Sequence, residues 1–482
     1  LICLWNLVFR EKSKAVITGY VRDLRTDKAI NQASVYDKTF ASSALSDSKG
    51  YFQLHVKKPE QMVAIVLSKM NYRDTSLTLL LPVEALQFSK KNNVGFYQGY
   101  DQDKNLFSSA FGRFFTSSKQ RVQSMNLGGM FAYSPVQVSL VPRLGTHGLF
   151  NSQIVNNFSL NLLGGSTAGV NGVELAGALN VNQYDMEGTQ VSGMLNVVGG
   201  HVRGLQIAGA GNVVVRNLSG MQVAGLWNSI DTLNRGFQLA GGINKAREVN
   251  GGQIAGLGNV SLGSVHTQIA GGFNKAGKVN GIQVSGLTNI SSDLVHSQIA
   301  GGANIAKKVK GVQIAGLLNV ADSSDYPIAL LNLIKNGQKN LTLQFDESKL
   351  ASIQFRSGGR VLYSIIGLGL YADNPDYSYA IELGLGAKLL EKAKFGLAVE
   401  VIQRNNFDSD MHLQEGDRAA FRVVPSYEFL PSWKVFAAPA FVYQQAATSD
   451  AESKNYWKVW GGNRDKNTFH GGGTIGLTYS FK

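Results

Sequence analysis

A short phrase of small and polar residues recurs with near-constant spacing in the middle of the chain. From residue 172 to 319 it occurs ten times and reads Gln, aliphatic, Ala or Ser, Gly, two variable positions, Asn. Glu174 holds the Gln position in the first copy, and the later copies have Gln190, Gln206, Gln222, Gln238, Gln253, Gln268, Gln283, Gln298 and Gln313. After Asn180 in the first copy, the Asn position holds Asn196, Asn212, Asn228, Asn244, Asn259, Asn274, Asn289, Asn304 and Asn319. A period of 15 or 16 residues predicts one structural unit per copy.

Read as a single strand, the phrase has two different faces, because side chains alternate along a strand. One face carries the Gln, the small residue, a variable residue and the Asn, and the other is largely apolar. Two arrangements fit this pattern. The copies could stack as coils of a β-solenoid with Asn ladders inside, or they could pair as an antiparallel meander, closed into a membrane barrel with the apolar face toward lipid.

Two alternations favour the meander. The variable residue on the amide face alternates in size through Leu226, Gly242, Leu257, Gly272, Leu287, Gly302 and Leu317. The turns alternate in step between Lys- or Arg-rich and Ser- or Asp-rich sequences. A unit of about 30 residues suits a hairpin whose turns lie at opposite ends. We therefore predict antiparallel repeats, with Gln206 beside an Asn rather than Gln222, and an interior that a Leu at position 272 would overpack.

The last third of the chain alternates as membrane-barrel strands do. Ile475, Leu477, Tyr479 and Phe481 fall on one side of the last predicted strand, and polar or small residues fall on the other. Short connections alternate with longer ones at 405–417 and 446–469, which is typical of outer-membrane barrels. Phe481 resembles the terminal aromatic signal read by the barrel-assembly machinery. Counting strands back from the end predicts that Ser292 lies outside and Lys308 in the periplasm.

Residues 15–82 show seven short alternating segments separated by turn residues, which predicts a small β-sandwich. Its marks are Gly19 with Val21, Ala33 with Val35, Asp47 with Gly50 and Phe52, and Tyr72 after Asn71. This stretch resembles the carboxypeptidase-regulatory-like (transthyretin-like) domain found ahead of outer-membrane proteins of Bacteroidota, which implies a non-catalytic module that docks a partner. Residues 125–330 resemble a family of surface-repeat proteins of Bacteroidota and spirochaetes, a likeness that implies no reaction.

Two segments flank the predicted sandwich. Residues 1–14 are a leading segment whose first nine residues are apolar, which fits either the core of a secretory signal or a buried first strand. Residues 83–124 are assigned to a linker and the first barrel strands.

Composition argues against several functions. The 482 residues carry a net charge of +13, yet the cations are scattered and form no basic stripe with stacking aromatics, which argues against nucleic-acid binding. The single cysteine, Cys3, rules out a disulfide scaffold. The seven histidines show no metal-ligand spacing, and no hydrolase or nucleotide-binding motif occurs. Glu382 and Glu400 face one side of neighbouring strands, where pairing with Lys388 or Arg404 is expected rather than catalysis. We predict no enzyme activity, no cofactor and no metal.

Together these patterns predict an all-β protein with a small N-terminal sandwich and a large antiparallel transmembrane barrel over 125–482 that includes the repeats. The function predicted is a structural or accessory role in the outer membrane of a Gram-negative bacterium, in contact with lipid and with a protein partner of the sandwich. A passive channel and a surface-exposed solenoid adhesin are the alternatives. Because the amide face has almost no charge, little ion flow is expected.

Overall fold

The computed structural model describes residues 2–11, 14–38, 42–57, 62–80, 94–96, 106, 117–127, 130–372, 377–414, 418–445, 457–460 and 467–481. It divides into two compact units, Leu1–Gly251 and Gly252–Lys482. Strands make up 73% of the structure and helices 3%, which confirms the all-β class. Within this described part, no helix has the length and apolarity to cross a membrane. Most of the predicted linker, 83–124, lies outside the described residues.

Seven strands form two small sheets at the start of the first unit; six of them cover the sandwich predicted at 15–82, and the first lies in the leading segment 1–14. They are β1 (Ile2–Glu11), β2 (Lys14–Arg22), β3 (Ser34–Asp37), β4 (Ser43–Leu45), β5 (Tyr51–Lys57), β6 (Met62–Ser68) and β7 (Thr75–Leu80). One sheet has the order β1-β2-β5 and the other β4-β3-β6-β7. Ile17 and Leu54 of the first sheet share a buried core with Val35 and Ile65 of the second. Asn71 has a φ of 68°, a conformation that Asn tolerates better than most residues.

The repeats form a solenoid of parallel coils, and the prediction of antiparallel repeats is wrong. In the first unit, Gln190 pairs in register with Gln206, and Gln206 with Gln222. In the second unit, Asn274 pairs with Asn289 in the same parallel manner. In several coils a longer strand carries the Gln, as Ser264–Ala270 does, and a shorter one carries the Asn, as Phe273–Ala276 does. Elsewhere one continuous strand holds an Asn and the next Gln, as Trp227–Ala240 does. The solenoid alternative therefore describes these residues, and the predicted barrel over 125–482 is too long.

The elements of this region follow in chain order. In the first unit they are β8 (Val94–Phe96), α1 (Ser118–Leu127), β9 (Met130–Val141), β10 (Leu144–Gly145), a 3₁₀ helix (Gly148–Gln153), β11 (Ile154–Asn161), β12 (Gly164–Thr167), β13 (Gly169–Ala176), β14 (Leu179–Asn182), β15 (Met186–Ser192), β16 (Leu195–Val198), β17 (Val202–Ala208), β18 (Gly211–Ala224), β19 (Trp227–Ala240) and the start of β20 (Ile243–Ala255). In the second they are β21 (Gly258–Ser261), β22 (Ser264–Ala270), β23 (Phe273–Ala276), β24 (Lys278–Ser285), β25 (Thr288–Ser291), β26 (Leu294–Ala300), β27 (Ala303–Val309), β28 (Val312–Ala315), β29 (Leu318–Ser323), β30 (Tyr326–Ile328) and β31 (Leu331–Ile334).

A corner inside each phrase explains why the strand-based prediction failed. The strand that carries the Gln ends at the Ala or Ser, and the next two residues turn the chain into the strand that carries the Asn. The variable residue therefore lies at an exposed corner, where Leu287 is 66% exposed. A Cβ on Gly286 would lie 2.2 Å from the carbonyl oxygen of Gly271 one coil earlier, so the corner needs glycine. A side chain at Gly272 would meet the backbone oxygen of Leu257 at 2.5 Å, at the corner and not in the predicted interior.

The alternating turns lie on one edge of the solenoid, because every coil stacks in the same direction. The backbone nitrogen of Lys308 donates to the oxygen of Asp293, the residue after Ser292. Ser292 and Lys308 therefore share an edge, and the prediction that they lie on opposite sides is wrong. The alternation brings opposite charges together, as in the 2.8 Å contact of Arg247 with Asp231 in the coil before it.

The second unit ends in a closed barrel of eight antiparallel strands. Its strands are β32 (Gln338–Asp346), β33 (Leu350–Gly358), β34 (Leu362–Tyr371), β35 (Tyr379–Lys392), β36 (Phe395–Phe407), β37 (Arg418–Leu430), β38 (Trp433–Gln445) and β40 (Asn467–Ser480), and β39 (Trp457–Trp460) adds to β40 outside the ring. Pairing of β32 with β40 closes the barrel.

The connections distinguish the two ends of the barrel. One end, called the short-turn end, has the connections 359–361, 393–394 and 431–432. The other, called the long-loop end, has 347–349 and the longer connections 372–378, 408–417 and 446–466. Residues 373–376, 415–417, 446–456 and 461–466 of these loops lie outside the described part of the chain.

Candidate functional site

The glutamines of the repeat form a ladder of side-chain hydrogen bonds inside the solenoid. In the first unit, Gln206 Nε2 donates to Gln190 Oε1 at 2.7 Å, and Gln222 Nε2 donates to Gln206 Oε1 at 2.8 Å. In the second unit, Gln283 Nε2 donates to Gln268 Oε1 at 2.8 Å. Each amide donates toward the N-terminal side and accepts from the C-terminal side.

The asparagines form a second ladder that donates in the opposite direction. Asn196 Nδ2 donates to Asn212 Oδ1 at 2.9 Å and to the backbone oxygen of Ile207 at 2.8 Å. All of the Gln and Asn residues predicted for the amide face are 0% exposed, so the structure does bring them together, by stacking like on like. A buried amide must be hydrogen-bonded. The ladders meet that requirement for the described amides except Gln313 Oε1, the oxygen of the last Gln, which has no partner.

The sequence reasoning did not recognise the two residues that end the ladders. Glu174 ends the Gln ladder on its N-terminal side, and Asn332 ends the Asn ladder on its C-terminal side. Glu174 replaces Gln in the first copy, and its Oε2 accepts from Gln190 Nε2 at 2.8 Å. A carboxyl oxygen accepts whether or not the group is ionised, which suits the end of a ladder whose amides all donate toward it. At the other end of the Asn ladder, Asn332 accepts from Asn319 at 2.9 Å and donates to Ser364 Oγ of the barrel at 2.7 Å. Two features of the sequence could have shown these ends: a Glu at the Gln position of the first copy, and an Asn 13 residues after Asn319.

Burial raises the pKa of Glu174 to about 7, because the folded state disfavours its charged form. The folded protein therefore binds a proton that the unfolded chain releases above its ordinary pKa of 4.5. The contribution of Glu174 to the free energy of unfolding should be largest below pH 4.5. It should be lost as the pH rises toward and through 7, by about 3 kcal/mol in total.

Glu174→Gln should remove this pH dependence, because the neutral amide keeps an acceptor for Gln190 without a charge to bury. We expect the variant to match the parent near pH 5 and to exceed its unfolding free energy near pH 8. Urea titrations at both pH values measure the difference. Parallel pH profiles of parent and variant would contradict the assignment.

The barrel interior holds a network of buried ion pairs. Arg404 contacts Glu382 at 2.8 Å and also pairs with Asp346. Arg422 contacts Glu400 at 2.6 Å, and Arg356 lies 3.4 Å from the same carboxylate. The predicted pairing of Glu382 with Arg404 is thus present.

The environment of Glu400 differs from the sequence prediction. Its partners are Arg356, Arg422 and Tyr363, whose hydroxyl donates to the carboxylate at 2.7 Å, whereas Lys388 pairs with Glu391 at 3.2 Å. The two carboxylates are therefore held by cations and hydrogen bonds in a filled interior. A cavity of about 60 Å³ beside Arg356 and Lys434 has room for a few water molecules.

The outer wall of the barrel is apolar. Aliphatic side chains such as Leu368, Val401 and Ile475 are 55–63% exposed on it and form a band that we call the aliphatic belt. Aromatic pairs flank this belt. Toward the short-turn end, the ring centres of Phe395 and Tyr427 are 5.0 Å apart, and those of Trp433 and Tyr479 are also 5.0 Å apart. Toward the long-loop end, the ring centres of Phe441 and Phe469 are 5.5 Å apart.

The final strand has the two faces predicted from its sequence. Ile475, Tyr479 and Phe481 are exposed on the outer wall, whereas Thr474 and Thr478 are buried inside. Phe481 lies 5.2 Å from Tyr479 and continues the aromatic band at the short-turn end.

The described residues contain no group of three or more His, Cys, Asp or Glu side chains arranged to hold a metal ion.

Comparisons with known proteins give little further information. No family model matches the chain, and no curated protein matches it. Among solved structures, one from work on the de novo design of transmembrane β-barrels is similar to 30% of this chain and 93% of its own, with 12% identity and a TM-score of 0.18.

Proposed function

We propose that the protein is a non-catalytic scaffold of the outer membrane, held there by its barrel. The observation that carries this proposal is the outer wall, where an aliphatic belt lies between two sets of aromatic pairs. Transmembrane barrels present this arrangement to lipid, because the hydrocarbon core accepts aliphatic side chains and the interfaces favour aromatic ones. Phe481 fits the role of the signal for the barrel-assembly machinery.

The interior supports an anchor better than a passive channel. A conducting pore needs a continuous aqueous path, whereas four buried arginines and their carboxylate partners fill this barrel, namely Arg356, Arg404, Arg418 and Arg422. Low conductance was expected from an uncharged lumen. It is now expected because the charges are paired and packed.

Heat-modifiable gel migration and planar-bilayer recording test the anchor directly. The unboiled protein should migrate as a compact band that shifts on boiling, should fractionate with membranes, and should show no steady porin-sized current. Steady currents of that size would favour the channel. Release with soluble protein, without a band shift, would favour the secreted adhesin.

The connections support a periplasmic position for the second-unit coils. Outer-membrane barrels keep short turns in the periplasm and long loops outside. The last coil lies at the short-turn end, where Arg360 pairs with Asp325 at 2.7 Å. We therefore place the coils that carry Ser292 and Lys308 in the periplasm.

Cysteine labelling in intact cells tests this sidedness. In a Cys3→Ser background, Ser292→Cys and Lys308→Cys should both resist a membrane-impermeant thiol reagent, and both should react after lysis. Asp410→Cys, in an exposed loop at the long-loop end, is the control and should react in intact cells. Reaction at 292 and 308 with protection at 410 would reverse the orientation and favour the surface adhesin.

The sandwich remains the proposed docking module for a protein partner. Its support is the resemblance to regulatory-like domains and the exposure of four large apolar residues, Tyr20, Leu24, Met70 and Tyr72. Contacts within the first unit hold it to α1, where Asn126 Nδ2 donates to the backbone oxygen of Gln32 at 2.7 Å.

A further inference from the structure

The coils of the second unit have two chemically different edges. The corner at the repeat glycine exposes apolar side chains in successive coils, and we call it the apolar edge. It consists of Leu257, Ile269, Phe273, Leu287, Ile299, Leu317 and Leu330, which are 36–66% exposed. The opposite edge, called the charged edge, carries the turns with Lys278, Asp293, Lys307, Lys308, Asp322 and Lys335. A contiguous exposed apolar surface of this kind marks an interaction site.

Contacts within the second unit show how the last coil meets the barrel. Ser357 and Ser364 pair across β33 and β34 and point outward, since Arg356 and Tyr363 beside them point inward. Ser357 Oγ accepts from the backbone nitrogen of Asn332 at 3.0 Å, and Ser364 Oγ accepts from Asn332 Nδ2. The Asn ladder therefore ends on the outer wall of the barrel.

This ending sets the direction of the stack. Ladder bonds run along the stacking direction of a solenoid. Here the last bond joins Asn332 to Ser364 on the wall, so the stacking direction points at the wall. The coils consequently extend sideways from the barrel, along the plane of the membrane that the barrel spans, and not along the barrel axis.

The same contacts decide which edge faces that membrane. The charged edge meets the tip of the short turn, where Asp325 pairs with Arg360 and accepts from the nitrogen of Val361. The apolar edge meets the wall farther from the short turn, where the backbone oxygen of Ala329, next to Leu330, accepts from Ser364 Oγ. Ser364 lies three residues beyond Val361, about 10 Å along the strand at about 3.3 Å per residue, in the direction of the aliphatic belt. The apolar edge is thus the edge on the lipid side.

We propose that the coils of the second unit lie on the periplasmic surface of the same bilayer, with the apolar edge inserted at the boundary between headgroups and acyl chains. The proposal rests on the proposed membrane anchor. Lipid is the occupant that fits, because the edge continues toward the aliphatic belt while the charged edge points to water. Amphipathic helices use the same division of faces to lie in a membrane interface.

Site-directed fluorescence quenching tests the proposal on the full-length protein. In a Cys3→Ser background, an environment-sensitive fluorophore is attached at Leu287→Cys on the apolar edge, Lys308→Cys on the charged edge or Leu368→Cys in the aliphatic belt. Each protein is reconstituted into phosphatidylethanolamine–phosphatidylglycerol vesicles with or without nitroxide-labelled lipid. Iodide serves as the aqueous quencher. Leu287 and Leu368 are already exposed, so labels at these positions leave the core intact.

We expect the nitroxide lipid to quench the labels at 287 and 368 at least twofold more than the label at 308, and iodide to give the reverse order. A label at Leu317→Cys should repeat the result for 287, because it occupies the same corner two coils later. If the label at 368 escapes lipid quenching, the membrane anchor itself is wrong and the inference fails with it.

Two other results overturn the inference while leaving the anchor in place. In the first, the label at 368 is quenched by lipid but the labels at 287 and 317 behave like the label at 308, so the edge faces water. In the second, the labels at 287 and 317 are shielded from both quenchers, so a protein surface covers the edge.

Discussion

Arg404→Met should destabilise the barrel by about 3–5 kcal/mol, because removing one partner of a buried ion pair leaves charge without compensation. Arg404 contacts Glu382 at 2.8 Å and also pairs with Asp346, and all three side chains are at most 7% exposed. Urea unfolding of the detergent-solubilised barrel, followed by its heat-modifiable band, measures the change.

Two further variants separate charge from packing. The triple variant Arg404→Met, Glu382→Gln, Asp346→Asn removes the orphaned charges and should recover most of the lost stability. Lys388→Met breaks the more exposed pair with Glu391 and should cost less than about 1 kcal/mol. Equal losses in Arg404→Met and Lys388→Met would show that the buried network does not stabilise the barrel.

Gln283→Leu should destabilise the coils of the second unit by about 2–5 kcal/mol, because it removes one hydrogen bond from the buried amide of each neighbouring Gln. Gln268 Oε1 loses the bond from Gln283 Nε2 at 2.8 Å, and Gln298 Nε2 loses its acceptor on Gln283 at 2.8 Å. Hydrogen exchange of the backbone amides in β24 and β26 measures the loss of protection locally.

Leu287→Ala is the matched control for this ladder variant. Leu287 lies four residues away in the same coil, but it is 66% exposed at the corner, so truncation should change exchange only slightly. Unchanged protection in Gln283→Leu, or equal effects of the two substitutions, would contradict a stabilising role for the Gln ladder.

The structure also shows where pattern reasoning succeeds. The outward and inward residues of the last barrel strand follow from the sequence, because an uninterrupted strand alternates its side chains strictly. The pairing of Glu382 with Arg404 follows for the same reason, since both positions face inward on adjacent strands. The Gln and Asn positions assigned to the amide face are all buried, whereas the variable residue assigned to the same face, such as Leu287, lies at the exposed corner.

The direction of the repeats depended on tertiary structure. Parallel stacking and antiparallel pairing both bury the same Gln and Asn positions, so the period alone does not separate them. The alternation of Lys-rich with Ser- and Asp-rich turns was read as two ends of a hairpin, whereas stacking uses it to place Arg247 against Asp231 on one edge.

The sequence by itself determined the all-β class, the small sandwich, the barrel-like last third and the residues that line the solenoid. Only the tertiary structure decided that the repeats coil, that Leu287 is exposed and that Asn332 joins the Asn ladder to the barrel wall. The physical reason is that alternation is a property of one strand, while a corner depends on the approach of two backbones. At Gly286 that approach leaves 2.2 Å for a Cβ, a distance set by the neighbouring coil.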